Sequence, residues 1–308
     1  MEFKKKLGNT DIFLPAFSVG TSTFGNMYGD MDISIMKNLV SRAIEYGLNY
    51  FDTSPYYGNK LSETNLGMAL EGIPRENYIL STKVGRYGDD LFDFSKSTIN
   101  KSIDESLERL NTTYVDILLL HDVEFADYDQ IINESLPAIE KLKKSGKVRC
   151  IGFSCYPINL IKRIVTDSKT KIDVILSYAH CCLMNNKLCE ITNFLKSKKI
   201  GIINASPLCM GLLSTNKLPD WHPASSQLID YIQEKSYFLN IKYKVNIEDY
   251  ALNYVLYDTD IATTLVGIKT MSELEKLISI LNGEIKFEDE IYRYIKKYID
   301  KYFNIELE

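Results

Sequence analysis

A short β-rich apolar run followed by a longer segment of helical periodicity recurs eight times along this chain, and that alternation limits the folds open to it. The strand-like runs are 16–19, 48–52, 78–82, 115–120, 148–153, 174–176, 200–204 and 263–266. Between them, apolar residues fall at three- and four-residue spacing. Ile99, Ile103, Leu107 and Leu110 form one stripe, with Lys101, Glu105 and Glu108 on the opposite face. Leu136, Ile139 and Leu142 form another, closed by Lys143, Lys144 and Gly146, which puts cations and a glycine where a helix ends. Such alternation implies parallel strands joined by right-handed crossovers, in an open doubly wound sheet or a closed barrel. An open dinucleotide-binding sheet carries Gly-x-Gly-x-x-Gly after its first strand. The corresponding stretch here, Gly20-Thr-Ser-Thr-Phe-Gly25, has the wrong spacing. Eight units without a linker or composition break favour an α/β architecture of one (β/α)8 TIM barrel over 1–308. An N-terminal β-hairpin over 5–14, turning at Gly8-Asn9, and an extra C-terminal helix over 288–302 complete the expected fold.

Composition removes several classes of function. With 36 Lys+Arg against 41 Asp+Glu the chain is mildly acidic, so no nucleic-acid partner is expected. No apolar run approaches the ~20 residues that span a bilayer, and the first residues lack the apolar core of a secretory signal. The six cysteines fall in one central stretch without framework spacing, which points to a reduced, cytoplasmic protein. His180-Cys181-Cys182 invites a metal reading, but adjacent cysteines rarely both ligate one tetrahedral ion, and no metal is expected.

In a (β/α)8 barrel, functional side chains sit at the C-terminal ends of the strands. The second run leads into Phe51-Asp52-Thr53-Ser54-Pro55-Tyr56-Tyr57-Gly58, the third into Thr82-Lys83-Val84, and the fourth into His121-Asp122. Three neighbouring strands thus offer Asp52, Lys83 and His121 at one rim, with Tyr57 on the loop above. A free Tyr, with a pKa of ~10, is a poor acid–base group near neutrality. An adjacent Lys ammonium stabilises the phenolate, and an Asp keeps that Lys charged and aimed. The unit reads as a Tyr acid/base facing a carbonyl or carbinol, with the imidazole placed to share a proton or hold the substrate oxygen. Taken singly, each residue has a structural reading: a strand-end Lys neutralising a carboxylate, an Asp capping a turn, a satisfied core His.

Together with Leu66-Gly67-Met-Ala-Leu70, Thr82-Lys83-Val84-Gly85 and Gly146-Lys147-Val148-Arg149-Cys150-Ile151-Gly152-Phe153-Ser154, the 51–58 stretch resembles the aldo-keto reductases over essentially the whole chain. The stretches Ser102–Leu110, Asp173–Tyr178, Ala205–Leu208, Met210–Leu213 and Asp220–Ser225 are closest to its aldose 1-dehydrogenases, such as those acting on L-galactose. By that resemblance Asp52, Tyr57, Lys83 and His121 match a catalytic tetrad. It also implies a nicotinamide cofactor bound without a Rossmann domain. Gly20 and Thr21 would lie under the nicotinamide, Ser154 and Ser177 would hold the carboxamide, and Ser206, Leu208, Gly211 and Leu212 would wrap the pyrophosphate. Gly267, Lys269, Thr270 and Glu273 would grip the adenosine. Two departures, Cys155 where many members have Asn and Ser177 where many have Gln, weaken that grip. Glu273 stands where NADP-preferring members commonly have Arg, and its charge favours NAD over NADP, with nearby Lys269 pulling the other way. The alternative for Glu273 is a solvated acid in the first turn of the last barrel helix.

Phe24, Tyr56, His121, Trp221 and His222 are the expected substrate-lining residues. Trp221 and His222 divide between a pocket wall and a loop pin. The expected reaction is oxidation of an aldose at C1 to its lactone. The alternatives are an NADPH-dependent carbonyl reductase and a nicotinamide-binding sensor subunit. The expected partner is a small-molecule sugar or carbonyl compound, and the expected assembly is a monomer or small homo-oligomer.

Overall fold

The computed structural model describes residues 4–258 and 260–305. Strands β1 (Lys4–Lys6) and β2 (Phe13–Pro15) pair antiparallel as a separate hairpin. The other eight strands are β3 (Phe17–Gly20), β4 (Tyr50–Asp52), β5 (Ile79–Val84), β6 (Val115–Leu120), β7 (Val148–Ser154), β8 (Val174–Tyr178), β9 (Gly201–Ala205) and β10 (Thr263–Gly267). They close, all parallel, in the order β10-β3-β4-β5-β6-β7-β8-β9. The expected barrel is therefore the fold, and the doubly wound alternative falls.

Helices α1 (Ile33–Glu45), α2 (Leu61–Ala69) and α3 (Lys96–Arg109) fill the first crossovers. After β6, α4 (Tyr128–Gln130) runs through a π-helical turn into α5 (Leu136–Lys144). There follow α6 (Ile158–Asp167), α7 (Cys189–Ser197), α8 (Ser226–Tyr243), α9 (Ile247–Val255), α10 (Met271–Leu281) and α11 (Asp289–Ile299).

Strand β6 shows why the sheet closes. Both faces of a barrel strand are covered, so its sequence reads as a continuous apolar run rather than an alternation. Leu118 and Leu120 pack outward with Ile99, Ile103, Leu107, Leu136, Ile139 and Leu142, the helical stripes read from the sequence. Ile117 and Leu119 point inward, beside Tyr50, Val174, Leu176 and Ile203. Leu7, Ile12 and Leu14 of the hairpin join that inner cluster, so the hairpin plugs the end of the barrel where β9 begins. A Cβ on Gly8 would lie 2.3 Å from the Gly201 nitrogen, which is why a glycine stands at this turn. The tract expected as a C-terminal helix forms α11, whose Ile291, Ile295 and Ile299 pack with Leu228, Ile232 and Leu239 of α8 in a second core.

Several strands end later than local propensity suggests. Strand β5 continues through Lys83 and Val84, which pair with Leu119 and Leu120, and β7 reaches Ser154, opposite Leu176. Of those extra residues, Lys83 and Ser154 are polar and buried, and Val84 joins the main apolar core.

Candidate active site

Register places the key groups side by side. Gly20 lies opposite Asp52, and Asp52 opposite Ser81. Two residues on from Ser81, Lys83 returns to the same inward face. Its ammonium donates to Asp52 Oδ2 at 2.5 Å, to the Thr53 carbonyl at 3.0 Å and to the Tyr57 hydroxyl at 3.1 Å. All three ammonium protons are thereby engaged. The other Asp52 oxygen accepts from the Ser81 hydroxyl at 2.6 Å. Lys83 and Asp52 are almost wholly buried, at 1% and 2% exposure. Burial disfavours the Lys83 charge, but the neighbouring Asp52 and Tyr57 outweigh it and hold the ammonium above its ordinary pKa. For Tyr57 the balance is reversed. Burial, reinforced by Asp52, outweighs the Lys83 charge and raises the phenol above 10.0, so it stays protonated at neutral pH. The sequence-based expectation that Lys83 favours the phenolate has the right sign, but it is outweighed by desolvation in the free protein.

His121 directly follows β6, with its ring edge-on to Tyr57 at 5.7 Å and to Tyr56 at 5.8 Å. Burial lowers its pKa to about 3, with Lys83 and Arg86 adding to the effect and Asp122 opposing it, so the ring is neutral. Ser54 Oγ accepts from the Tyr56 N–H at 3.1 Å and lies 2.9 Å from His121 Nδ1. A Ser54 proton directed at Nδ1 leaves the imidazole proton on Nε2, 3.6 Å from the Asp122 carboxylate. Such a ring can donate a hydrogen bond but cannot carry charge near neutrality.

The loop that carries Tyr57 rests on a glycine contact. A Cβ on Gly25 would lie 2.6 Å from the Tyr57 carbonyl oxygen, and one on Gly58 (φ +61°) would lie 2.0 Å from the Gly25 oxygen. Gly25→Ala is expected to push this loop outward, at about 1–3 kcal/mol for overpacking, and to lower turnover at least about tenfold. Thermal melting and steady-state kinetics on the same sample separate the two effects. Wild-type turnover would show that the loop tolerates the displacement.

The residues expected to hold a nicotinamide cofactor ring the same end of the barrel. Gly20 and Gly267 are paired on neighbouring strands. The N–H and hydroxyl of Thr21 both donate to the Asp52 carbonyl at 2.9 Å, so its side chain ties β3 to β4. Ser154 donates to Asp122 Oδ1 at 2.9 Å and accepts from the Asp122 N–H at 2.8 Å. Ser177 is buried, with His180 Nδ1 3.5 Å away. After β9, positive φ angles recur at Ser206 (+55°), Cys209 (+50°), Met210 (+56°) and Gly211 (+103°). The N–H groups of Cys209, Gly211, Leu212 and Leu213 donate to carbonyls of the same loop, at 2.9, 3.1, 3.1 and 3.0 Å, which holds the loop in this tight conformation. Leu208 lies in this loop, whereas the Leu212 side chain is 1% exposed within the C-terminal core and its N–H donates to the Cys209 carbonyl at 3.1 Å.

Glu273 sits in a capping box. Its Oε2 accepts from the Lys269 and Thr270 N–H groups at 2.6 and 3.1 Å, while Thr270 Oγ1 accepts from the Glu273 N–H at 3.2 Å. A carboxylate thus already fills the anion-favouring N-terminus of α10. Lys269 Nζ is turned away onto the Tyr28 carbonyl at 2.6 Å.

Two expected substrate-lining residues need correction. Phe24 is fully buried in the layer between barrel and helices, where the turn after β3 folds it inward. His222 has both ring nitrogens engaged by its own loop region, Nε2 donating to the Cys209 carbonyl at 3.0 Å and Nδ1 accepting from the Ala224 N–H at 3.1 Å. It pins the loop and presents no polar atom to a ligand. Trp221 is 47% exposed and meets Tyr28 edge-on at 5.6 Å, bridging two rim loops. Tyr56 lies beside His121, but its hydroxyl donates to Asp89 at 3.0 Å.

Arg86 and Asp122 were not singled out from the sequence. Arg86 donates to Asp122 Oδ2 at 2.7 Å and lies 3.9 Å from the Tyr56 ring centroid. Burial works against the Asp122 charge, yet His121, Arg86 and Ser154 hold its pKa below the ordinary value. Only the position of Asp122, directly after His121, hinted at this pair.

Comparison with known proteins agrees with the geometry. The Aldo/keto reductase family profile matches residues 16–300. The chain is 42% identical over 278 residues to an L-galactose dehydrogenase of Arabidopsis thaliana, covering 89% of this chain and 86% of that protein. It is 32% identical over 310 residues to a D-arabinose 1-dehydrogenase of Saccharomyces cerevisiae, covering 94% and 91%. Among solved structures, an aldo-keto reductase from Bacillus halodurans in its holo form superposes with a TM-score of 0.78 at 25% identity, over 100% of this chain and 98% of that one. A barrel with Asp, Lys, Tyr and His converging at its mouth, matched by the family profile over residues 16–300, places the chain in the aldo/keto reductase family.

Proposed function

We propose that this oxidoreductase oxidises an aldose at C1, with L-galactose the first candidate, to the corresponding lactone using NAD. The buried Asp52–Lys83–Tyr57 chain carries the reading, and the aldose dehydrogenases among its relatives direct it to sugars. The nicotinamide, when bound, supplies the hydride acceptor and, in its oxidised form, a positive charge at the barrel mouth. The residues of this chain do the rest. His121 Nε2–H holds the C1 oxygen of the sugar. Tyr57 Oη takes the proton from the C1 hydroxyl as C1 loses hydride and the C1–O bond becomes a carbonyl. Lys83 stabilises the phenolate, and Asp52 with the Thr53 carbonyl keeps the ammonium in place. In carbonyl reduction the same phenol is the acid, and its protonated state in the free protein suits that direction. In this reading Gly20, Thr21, Ser154 and Ser177 would contact the nicotinamide, Ser206, Leu208, Gly211 and Leu212 the pyrophosphate, and Gly267, Lys269, Thr270 and Glu273 the adenosine.

The test is cofactor reduction followed by absorbance at alkaline pH, with NAD and NADP each offered L-galactose, L-fucose, D-arabinose and L-glucose. Rapid NADH formation supports the reading. Turnover confined to NADPH and small aldehydes would replace it with carbonyl reduction, and cofactor binding without turnover would favour a sensor.

Cofactor preference has its own test. Glu273→Gln keeps a capping side chain but removes the charge facing a 2′-phosphate. The NADP-to-NAD ratio of kcat/KM is expected to rise about three- to tenfold, with little change in Tm. No change in the ratio would show that Glu273 serves the helix alone.

A further inference from the structure

Away from the barrel mouth, among the described residues, one cluster of soft and anionic groups is drawn together from three distant segments. Cys181 follows β8, Cys189 is the first residue of α7, and Asp258 lies between α9 and β10. Their two Sγ atoms and a carboxylate oxygen all lie within 4.8 Å of one another. Cys189 Sγ is 3.4 Å from Asp258 Oδ2. A tetrahedral zinc ion with Zn–S of ~2.3 Å and Zn–O of ~2.0 Å has S···O edges of about 3.5 Å and S···S edges of about 3.8 Å. The 3.4 Å between Cys189 Sγ and Asp258 Oδ2 is close to that S···O edge.

We propose that Cys181, Cys189 and Asp258 form a site for one thiophilic divalent cation of the zinc class, with a fourth position open to water. Cys181 is buried and Cys189 exposed, so the site has a protein wall on one side and a solvent entrance on the other. Lys5 donates to the Asp258 and Ile261 carbonyls at 2.8 and 3.1 Å, which fixes the connection that bears the carboxylate. Two thiolates and a carboxylate, set against Lys5 and a divalent ion, leave no net charge. The adjacency that argued against a metal in the sequence disappears in the fold, because Cys182 turns away and meets Cys209 at an Sγ–Sγ distance of 3.2 Å. The bound ion would staple the loop after β8 and the start of α7 to the segment entering β10.

The test uses the full chain, stripped with a chelator and kept reduced with a phosphine. Cadmium serves as the spectroscopic probe, and zinc is used for thermal melting. One equivalent of cadmium is expected to give an ultraviolet thiolate charge-transfer band, and saturating zinc to raise Tm by several degrees. Cys189→Ser should abolish the band, and Asp258→Asn should weaken binding at least about tenfold, each with wild-type far-ultraviolet circular dichroism. Cys209→Ser should leave binding unchanged. Absence of a band at saturating cadmium, a band that survives in Cys189→Ser, or loss in Cys209→Ser would each overturn the site.

Discussion

Tyr57→Phe is expected to lower turnover about 10²–10⁴-fold in either direction while leaving the affinity for nicotinamide cofactor within about twofold of wild type. The substitution removes one oxygen and nothing else. The ring keeps its edge contact with His121 at 5.7 Å and its tilted contact with Tyr56 at 6.0 Å, and the backbone keeps its seat on Gly25. Lys83 loses one of three acceptors but retains Asp52 and the Thr53 carbonyl, so the ammonium stays put. No neighbour can substitute for the lost hydroxyl as the proton carrier. His121 has a pKa lowered to about 3, so near neutrality it offers a hydrogen bond but no transferable charge.

The pH profile sharpens the expectation. Because burial raises the Tyr57 pKa, the phenolate fraction is small at neutral pH, and sugar oxidation should accelerate by nearly tenfold per pH unit on the acid side of the apparent pKa. Carbonyl reduction, which needs the phenol, should be flat there and fall at high pH. Isothermal titration with cofactor and pH-dependent kcat in both directions would check these statements. Tyr57→Phe with wild-type turnover would move the acid–base role to another group.

Much of this site is legible in the sequence because parallel strands put functional side chains at predictable ends. Asp52, Lys83 and His121 follow apolar runs, and a barrel converts that position into shared space. The run of Lys83 and Val84 within β5 was less visible, since the neighbouring β6 extends the ladder where local propensity ends it. Arg86 and Asp122 were missed for a related reason: an ion pair 36 residues apart has no periodicity to announce it. Phe24 and His222 show the limit of reading aromatic residues in loops. One side chain packs inward and the other satisfies its own loop, and composition does not distinguish either from a pocket wall. Glu273 was readable in part, because the Thr270-x-x-Glu273 spacing is that of a capping box. The proximity of Cys181, Cys189 and Asp258 was not readable, as it depends on how three connections meet outside the barrel.

Lys83→Met is expected to be the most damaging single change at the site, and pairing it with Asp52→Asn separates its two consequences. Alone, Lys83→Met leaves Asp52 buried at 2% exposure with only the Ser81 hydroxyl facing its carboxylate. Breaking a buried pair from one side costs about 3–5 kcal/mol, which should appear as a marked fall in Tm. Turnover should fall about 10²–10³-fold or more, since the phenolate loses the one cation bonded to it and burial then acts unopposed on its pKa. The double variant Asp52→Asn with Lys83→Met removes both charges. Much of the lost stability should return, because the uncompensated carboxylate is gone. Activity should not return, because Tyr57 still lacks its cation. If stability and turnover recovered together, Lys83 would be a structural counter-ion and the acid–base unit would reduce to Tyr57 and His121. If stability recovered alone, the ammonium would act through the phenol, and the acid limb of the sugar-oxidation profile should shift to higher pH in the double variant.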